Sequence, residues 1–410
     1  MATLAQPPVQ DFADPLDVSR KELYRDHQWH EPFRRLRAEA PVHYCENSSF
    51  GPYWSVSTYK PIVQVESLPE IYSSEAGGIT LADRLADDYA MPMFIARDRP
   101  VHTAQRRTVA PAFTPSEIVR MSGDLRRRTA EILDELPWGE TFDWVDRVSI
   151  ELTTQMLAIL FDFPWEDRRK LTFWSDWAGD IELVHNDETR QQRLGHMFEC
   201  MTYFRKLWDA KLDKEPTPDL ISMMVHSDAM RNMEDNEFIG NLILLIVGGN
   251  DTTRNSMTGG IYGLDKFPDE RAKLEQNPAL IPNAVQEIIR WQTPLAHMRR
   301  TAKQDAELEG QHIKAGDKLA LWYISANRDE SVFPDADKLI VDRANARRGL
   351  AFGYGIHRCV GARLAELQIQ VLLEEMAARR MRVNVMEEPT RVSACFVNGY
   401  RTLPVQISKY

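Results

Sequence analysis

The sequence predicts a mainly α-helical protein with a smaller β-rich region, and three observations support this prediction. Residues 235–266 contain no proline and carry a dense apolar run, which is typical of one long buried helix. A second helix is expected soon after Cys359, from Ala362 onward. Short segments with strand-like composition lie far apart along the chain, at residues 42–44, 53–56, 319–322 and 392–407.

Length and composition indicate how many domains to expect. The chain has 410 residues, 43% of them hydrophobic, which is enough for a large core around a buried cofactor. No linker rich in glycine, serine and proline divides it. We therefore expect a single domain over residues 32–410, preceded by an N-terminal extension over residues 1–31.

Charge, hydropathy and cysteine spacing argue against several classes of protein. The formal net charge of -11 argues against a nucleic-acid-binding protein. No run of eighteen apolar residues occurs, and the acidic N-terminus resembles neither a secretory signal nor a membrane anchor. The four cysteines are widely spaced, as expected for reduced thiols. A cytoplasmic protein without a membrane anchor is expected.

The first candidate site residues along the chain are His102 and Arg106. They are four residues apart and share one face of an expected helix. A histidine at a helix start is ordinarily unremarkable. A cationic pair at this spacing, however, suits a ligand carboxylate that has been removed from water.

The long helix over residues 235–266 contains an unusual segment, Gly-Gly-Asn-Asp-Thr-Thr at residues 248–253. A helix of about thirty residues is about 45 Å long and would run through the whole domain. Gly248 and Gly249 each cost roughly 0.8–1 kcal/mol relative to alanine. They form either a packing notch for another helix or an opening for a flat cofactor and O2. Asp251 and Thr252 are an acid and an alcohol that could deliver protons there.

Two further charged groups follow this helix. Glu287 and Arg290 are one helical turn apart, a spacing that is common at surfaces and weak evidence by itself. Arg300 belongs to an expected strand, in which alternation sends Arg299 and Arg300 to opposite faces.

The most informative segment is the loop around Cys359, which reads Phe-Gly-Tyr-Gly-Ile-His-Arg-Cys-Val-Gly over residues 352–361. Gly353 and Gly355 permit positive φ, and the amides of the following helix could hold the sulfur as a thiolate. A lone cysteine is most often a small buried hydrophobe, and Gly-x-Gly also occurs in dinucleotide loops, but no βαβ unit surrounds it. The loop therefore predicts an axial thiolate ligand for haem iron.

This loop fills every position of Phe-Gly-x-Gly-x-His-x-Cys-x-Gly, the haem-binding loop of the cytochrome P450 family. Residues 248–253 likewise match that family's Gly-Gly-x-Asp-Thr-Thr. The chain resembles the family from about residue 32 to its C-terminus, which implies the P450 fold with its long central helix over a buried haem b (iron protoporphyrin IX). The cofactor contacts that the resemblance implies are His102, Arg106, Gly248, Arg300, Phe352, His357, Cys359 and Gly361.

The resemblance also implies a role for each group of residues. Cys359 would be the iron ligand, Thr252 would organise the iron-bound oxygen, and Asp251 would relay protons. Glu287 and Arg290 would support the cysteine loop. Family members that use peroxide directly tend to lack the acid and the alcohol, so an O2-dependent monooxygenase is favoured over a peroxygenase or a haem-thiolate sensor.

The resemblance further implies that a ferredoxin and its reductase donate the electrons. Although the net charge is negative, basic clusters occur at residues 106–107, 126–128 and 347–348 and at Arg358. Most such clusters are simply solvated faces. A basic patch on the thiolate side would nevertheless steer an acidic donor by long-range attraction.

The expected substrate pocket is almost wholly apolar, which favours a hydrocarbon chain presented end-on. Residues 78–81, 92–95, 248–257 and 355–361 resemble the CYP153-type alkane hydroxylases, which implies terminal hydroxylation of medium-chain alkanes or fatty acids. Sterol side-chain hydroxylases share Asn255-Ser256-Met257, so hydroxylation of a sterol side chain, or of another terpenoid or lipid, stays open. The expected pocket residues are Ile79, Leu81, Met93, Phe94, Leu244, Leu245, Val247, Leu295 and Met298.

Overall fold

Helices form most of the regular structure. The computed structural model describes residues 14–83, 89–179 and 187–410, so residues 1–13 of the expected extension lie outside the described residues. Within these ranges, no helix is both long enough and apolar enough to cross a membrane. The α-helices are α1 (Lys21–Arg25), α2 (His30–Glu39), α3 (Tyr59–Ser67), α4 (Val101–Val109), α5 (Pro115–Asp134), α6 (Glu151–Phe161), α7 (Arg169–Gly179), α8 (Asp187–Asp209), α9 (Leu220–Val225), α10 (Asp235–Lys266), α11 (Pro268–Gln276), α12 (Ile281–Gln292), α13 (Tyr323–Ala326) and α14 (Ala362–Ala378).

The strands are short and most of them belong to two small sheets. A five-stranded sheet has the order β1-β2-β8-β5-β3, in which only β2 and β8 are parallel, and a three-stranded sheet has the order β4-β12-β9. This confirms the predicted fold class. The strands are β1 (Val42–Cys45), β2 (Tyr53–Val56), β3 (Tyr72–Ser73), β4 (Phe142–Asp143), β5 (Met298–Ala302), β6 (Ala306–Leu308), β7 (Gln311–Ile313), β8 (Lys318–Leu321), β9 (Met381–Val385), β10 (Thr390–Arg391), β11 (Tyr400–Thr402) and β12 (Pro404–Lys409).

One predicted strand segment differs from the structure. Within residues 392–407, only β11 and β12 are extended in a sheet. The part before them turns inward: Cys395 is fully buried, and Val397 makes a single bridge to Leu295. Burial of this segment against the end of α12 replaces the strand pairing that its composition predicts.

Helix α10 has the bounds predicted for it and spans 32 residues, about 48 Å at 1.5 Å per residue. Its N-terminal half packs into one apolar cluster through Leu242 and Ile246, and its C-terminal half packs into a second cluster through Met257 and Ile261. The Gly-Gly-Asn-Asp-Thr-Thr segment lies between the two. Neither Asp235 nor Asn236 caps the helix, whose first turn follows Glu234 without a side-chain cap.

Helix α14 carries the cysteine loop. It begins at Ala362, three residues after Cys359, and packs against α5, α10 and α12. Its residues also divide between the two clusters, with Leu364 in the first and Leu372 in the second. Because α10 and α14 each pack into both apolar clusters, the distance between the Gly-Gly-Asn-Asp-Thr-Thr segment and the cysteine loop is fixed.

The described part of the expected N-terminal extension packs against the rest of the protein. Val18, Tyr24 and Trp29 are buried in one cluster with Trp322 and Cys395. A boundary between residues 31 and 32 stays a prediction.

Candidate active site

A single cavity lies between α10 and the cysteine loop. It brings together segments more than 250 residues apart in the chain, because His102 on α4 and Cys359 both border it. All eight predicted cofactor contacts line this cavity: His102, Arg106, Gly248, Arg300, Phe352, His357, Cys359 and Gly361.

The cysteine loop has the backbone that its glycines predict. Gly353 and Gly355 have φ of 69° and 65°, and the Cys359 amide donates to the Phe352 carbonyl at 2.8 Å. The Cys359 thiol opens onto the cavity, whereas the other three cysteines are buried in the core. Burial raises the pKa of Cys359, while the Gly361 N–H and the guanidinium of Arg106 lower it. The hydrogen bond from Gly361 and the positive charge of Arg106 both favour the thiolate form of Cys359.

Two neighbouring histidines in the cavity lining, the buried His102 and the half-buried His357, fit a carboxylate ligand. Both ring nitrogens of His102 and Nδ1 of His357 are buried without a hydrogen-bond partner, and the two rings are 4.2 Å apart. Burial lowers the pKa of His102 to about 4 and that of His357 to about 2. Buried polar groups ordinarily have partners, so these nitrogens, next to Arg106 and Arg300, fit the propionates of a haem.

Arg300 and Arg299 diverge from β5 as the strand alternation predicts. Arg300 lines the cavity and donates from Nη2 to Glu66 Oε1 at 3.1 Å. Arg299 points away and donates to Asp83 at 2.7 Å. The cavity therefore receives one guanidinium from this strand.

The two glycines of α10 have different roles. A Cβ added to Gly248 would meet nothing within 4 Å, because this glycine faces the open cavity, whereas one added to Gly249 would come within 2.7 Å of Leu157 on α6. Gly248 therefore leaves open space in the cavity, and Gly249 is a packing notch. The Thr252 hydroxyl borders the cavity and donates to the Gly248 carbonyl at 3.0 Å.

Asp251 faces away from the cavity, toward α7. Its Oδ1 accepts from Ser175 at 3.1 Å and from the Asn250 amide at 3.2 Å, and it pairs with Arg254 at 3.0 Å. Arg254 in turn donates to Asp176 at 2.9 Å. Burial raises the pKa of Asp251 to about 6, although Arg254 lowers it. The acid and the alcohol are thus adjacent in sequence but lie on different sides of α10.

Glu287 and Arg290 form a buried ion pair on α12. Arg290 donates to both carboxylate oxygens at 2.7 Å, and both side chains are fully buried. Arg343 adds a second guanidinium to Glu287 at 2.9 Å. Arg290 also donates to the Asn327 carbonyl, and the Asn327 side chain accepts from Leu350 N, just before the cysteine loop. The pair thus connects α12 to that loop.

Replacing Glu287 by glutamine is expected to lower the free energy of unfolding by about 3–5 kcal/mol, because two buried guanidiniums would lose their counter-charge. Urea unfolding of the purified protein measures this. The matched control is Glu39→Gln, which removes an exposed partner of Arg35 and should leave the midpoint unchanged. Equal urea midpoints for Glu287→Gln and Glu39→Gln would contradict the stabilising role of the buried ion pair.

The structure places five of the nine expected pocket residues at the cavity: Phe94, Leu244, Leu245, Leu295 and Met298. The other four, Ile79, Leu81, Met93 and Val247, are not part of its lining. Leu81 is instead buried with Trp322, and Val247 lies beside Gly179 of α7. The Ile79 carbonyl accepts from the Arg299 amide, and the Asp83 carboxylate accepts from the Arg299 and Lys318 side chains. These bonds hold the segment against β5 and β8.

Three charged residues at or near the site were missed by the sequence interpretation. Glu66 lines the cavity, Arg254 holds Asp251, and Arg343 completes the pair on α12. Each is a single charged residue in an ordinary local sequence, and its partners come from distant segments. No local pattern could have identified Glu66 or Arg343, although the spacing of Arg254 three residues after Asp251 was available.

Comparison with known proteins agrees with this geometry. The family model described as "Cytochrome P450" matches residues 113–390. The structure of CYP153D17 from Sphingomonas sp. PAMC 26605 is 75% identical with a TM-score of 0.93, covering 97% of this chain and 100% of that one. The structure of cytochrome P450-153 from Novosphingobium aromaticivorans is 59% identical with a TM-score of 0.92, covering 96% of this chain and 100% of that one. Linalool 8-monooxygenase from Pseudomonas putida is 35% identical over 403 residues, covering 95% of this chain and 98% of the relative. This chain belongs to the cytochrome P450 family and is a haem-thiolate monooxygenase.

Proposed function

We propose that this monooxygenase hydroxylates the terminal carbon of medium-chain alkanes or fatty acids, with haem b as cofactor and a ferredoxin and its reductase as electron donors. The observation that carries the proposal is the lining of the cavity, which combines an apolar set of side chains with a smaller set of charged residues and histidines. Identity of 75% and 59% to two proteins named as CYP153 members supports the same substrate class.

The apolar part of the lining suits an alkyl chain. It includes Phe94, Leu244, Leu245, Leu295 and Met298. The charged side chains among the described lining residues are Glu66, Arg106 and Arg300, and with the two histidines they form the polar part of the lining. An apolar chamber of this kind binds hydrocarbon. Terminal C–H bonds are the strongest in an alkane, so selectivity for them must come from positioning the chain end.

The polar part of the lining would hold the cofactor. Bound haem supplies the oxygen chemistry, which needs a thiolate ligand, two protons and electrons from outside the protein. Cys359 would provide the thiolate, and His102, Arg106, Arg300 and His357 would bind the propionates.

Asp251 and Thr252 would manage protons. With its pKa raised to about 6 by burial, Asp251 can both take up and release a proton near neutral pH. Thr252 Oγ1, on the cavity side, can receive a proton and orient water there once it leaves the Gly248 carbonyl. Because the Asp251 carboxylate lies on the α7 side of α10, we propose that Asp251 takes up protons from that side and not from the cavity.

The electron donor would dock beside the cysteine loop. Arg347, Arg348 and Arg358 are exposed near it, and their charge would attract an acidic ferredoxin. The cluster at residues 126–128 is less suited to this, because Arg126 and Arg127 each pair with acidic residues of this chain.

Product analysis with a panel of a medium-chain alkane, a fatty acid, a sterol and linalool tests the proposal. With ferredoxin, reductase and NADH, we expect terminal alcohols from the alkane or the fatty acid, at least about tenfold faster than products from the other two. A parallel arm with hydrogen peroxide alone should give little product. Faster turnover of the sterol or linalool would overturn the substrate class. Equal product with peroxide alone would overturn the proposed dependence on a ferredoxin, and no product in either arm would overturn the proposed substrate class.

A further inference from the structure

Glu66 is a buried carboxylate in the lining of the cavity, and the roles assigned above leave it unused. It is 4% exposed. Its Oε1 accepts from Tyr323 OH at 2.6 Å and from Arg300 Nη2 at 3.1 Å, and its Oε2 accepts from the Tyr354 amide at 2.8 Å. An amide and a guanidinium can only donate, so this set of partners suits an ionised carboxylate.

Glu66 also joins three segments that are distant in sequence. It lies near the end of α3, Arg300 lies on β5, and Tyr354 belongs to the cysteine loop. A Cβ on Gly353 would lie 3.6 Å from Glu66 Oε1, and one on Gly355 would overlap the Glu66 carbonyl oxygen. The two glycines of the loop thus leave space for Glu66 as well as for a cofactor, and the loop folds against this residue.

The negative charge of Glu66 attracts the guanidinium of Arg300, which donates to it. Burial raises the pKa of Glu66, while Arg300, Tyr323 and the Tyr354 amide lower it. Arg300 makes one further bond, to the Arg299 carbonyl at 2.8 Å, and the rest of its guanidinium borders the cavity. A haem propionate bound there would share this guanidinium with Glu66. Because two buried carboxylates would then face one cation, the charge on Glu66 affects the binding of the cofactor and its electrostatics.

We propose that Glu66 is a positioning residue that orients Arg300 toward a haem propionate, fixes the cysteine loop to α3, and lowers the midpoint potential of the bound haem through its buried negative charge. This inference rests on the proposed contact between Arg300 and a propionate. The sign follows from electrostatics: one-electron reduction removes one positive charge from the iron, so a nearby fixed anion favours the oxidised form.

The test compares Glu66→Gln with Glu70→Gln in the haem-loaded protein. Glu70 is exposed and lies four residues further along the chain, so its variant removes the same formal charge without touching Arg300. In a spectroelectrochemical titration, we expect Glu66→Gln to shift the reduction equilibrium about tenfold toward the ferrous form, which is about 59 mV for one electron. Glu70→Gln should leave it unchanged. Equal potentials in the two variants would overturn the inference.

A second measurement and a second variant cover other outcomes. Haem transfer to excess apomyoglobin should be several-fold faster from Glu66→Gln than from Glu70→Gln. If Glu66→Gln fails to retain haem, Tyr323→Phe decides the question, because the Tyr323 hydroxyl lowers the pKa of Glu66 and its loss makes the carboxylate easier to protonate. As the pH is lowered, the potential should begin to rise at a higher pH in Tyr323→Phe than in the parent protein. The same pH dependence of the potential in both proteins would overturn the inference.

Arg300→Gln separates this inference from the proposal on which it rests. If Arg300→Gln loses haem no faster than the parent protein, the propionate contact itself is wrong. If Arg300→Gln loses haem faster while Glu66→Gln keeps the potential of Glu70→Gln, only the role of Glu66 is overturned.

Discussion

Replacing Cys359 by serine is expected to abolish monooxygenation and to remove the red-shifted Soret band of the ferrous carbonyl complex. A neutral hydroxyl at this position cannot supply the electron density of a thiolate to iron. The fold should survive, because the thiol opens onto the cavity, while the loop is held by backbone bonds such as that from Cys359 N to Phe352 O. Product assay and the carbonyl spectrum of the same preparation measure both effects.

Cys200→Ser is the matched control. Cys200 lies on α8 and is buried in an apolar cluster, so the same chemical change there should leave the Soret position and the product ratio intact. Full turnover by Cys359→Ser, or an equal loss in both variants, would contradict the assignment of Cys359 as the ligand.

Features encoded by local sequence could be predicted. The sequence predicts helix α10 over residues 235–266 because the absence of proline and the dense apolar run are local signals. The positive φ of Gly353 and Gly355 also follows from residue type. In each case the information lies within a few residues of the feature.

Contacts between distant segments could not be predicted in the same way. Glu66 meets Tyr323 and Arg300 across more than 230 residues, and Arg343 reaches Glu287 across 56. A single charged residue in a helix or loop does not reveal its partner. The partner becomes evident only when the fold brings the segments together.

The direction of individual side chains was the other difficulty. The sequence favoured an acid and an alcohol acting side by side, but successive helix positions are about 100° apart, so Asp251 and Thr252 face different sides of α10. The substrate pocket shows the same limit, since Leu81 turns into the core. In irregular segments, side-chain direction is set by bonds to other parts of the protein.

The position of Asp251 leads to the second large expected effect. Asp251→Asn should lower O2-dependent product formation by about 10²–10⁴-fold. The amide has nearly the same shape as the carboxyl group, but it cannot take up and release a proton near neutral pH. Thr252→Ala offers a contrast: it leaves the acid in place and should instead divert electrons from product to hydrogen peroxide. Oxygen consumption, peroxide and product are measured together at several pH values, and the rate dependence near pH 6 should disappear in Asp251→Asn.

Stability distinguishes this role from a structural one. The pKa of Asp251 is raised from 3.8 to about 6 in the folded protein, so its neutral form contributes stability that is complete below about pH 3.8 and is lost as the pH rises through 6. Asparagine resembles that neutral form, so Asp251→Asn should be at least as resistant to urea at pH 8 as the parent protein while it turns over far more slowly. Asp176→Asn also touches Arg254 but keeps the acid, and should retain most activity. If Asp251→Asn loses stability and activity together, or if Asp176→Asn is equally slow, Asp251 acts by holding Arg254 rather than by moving protons.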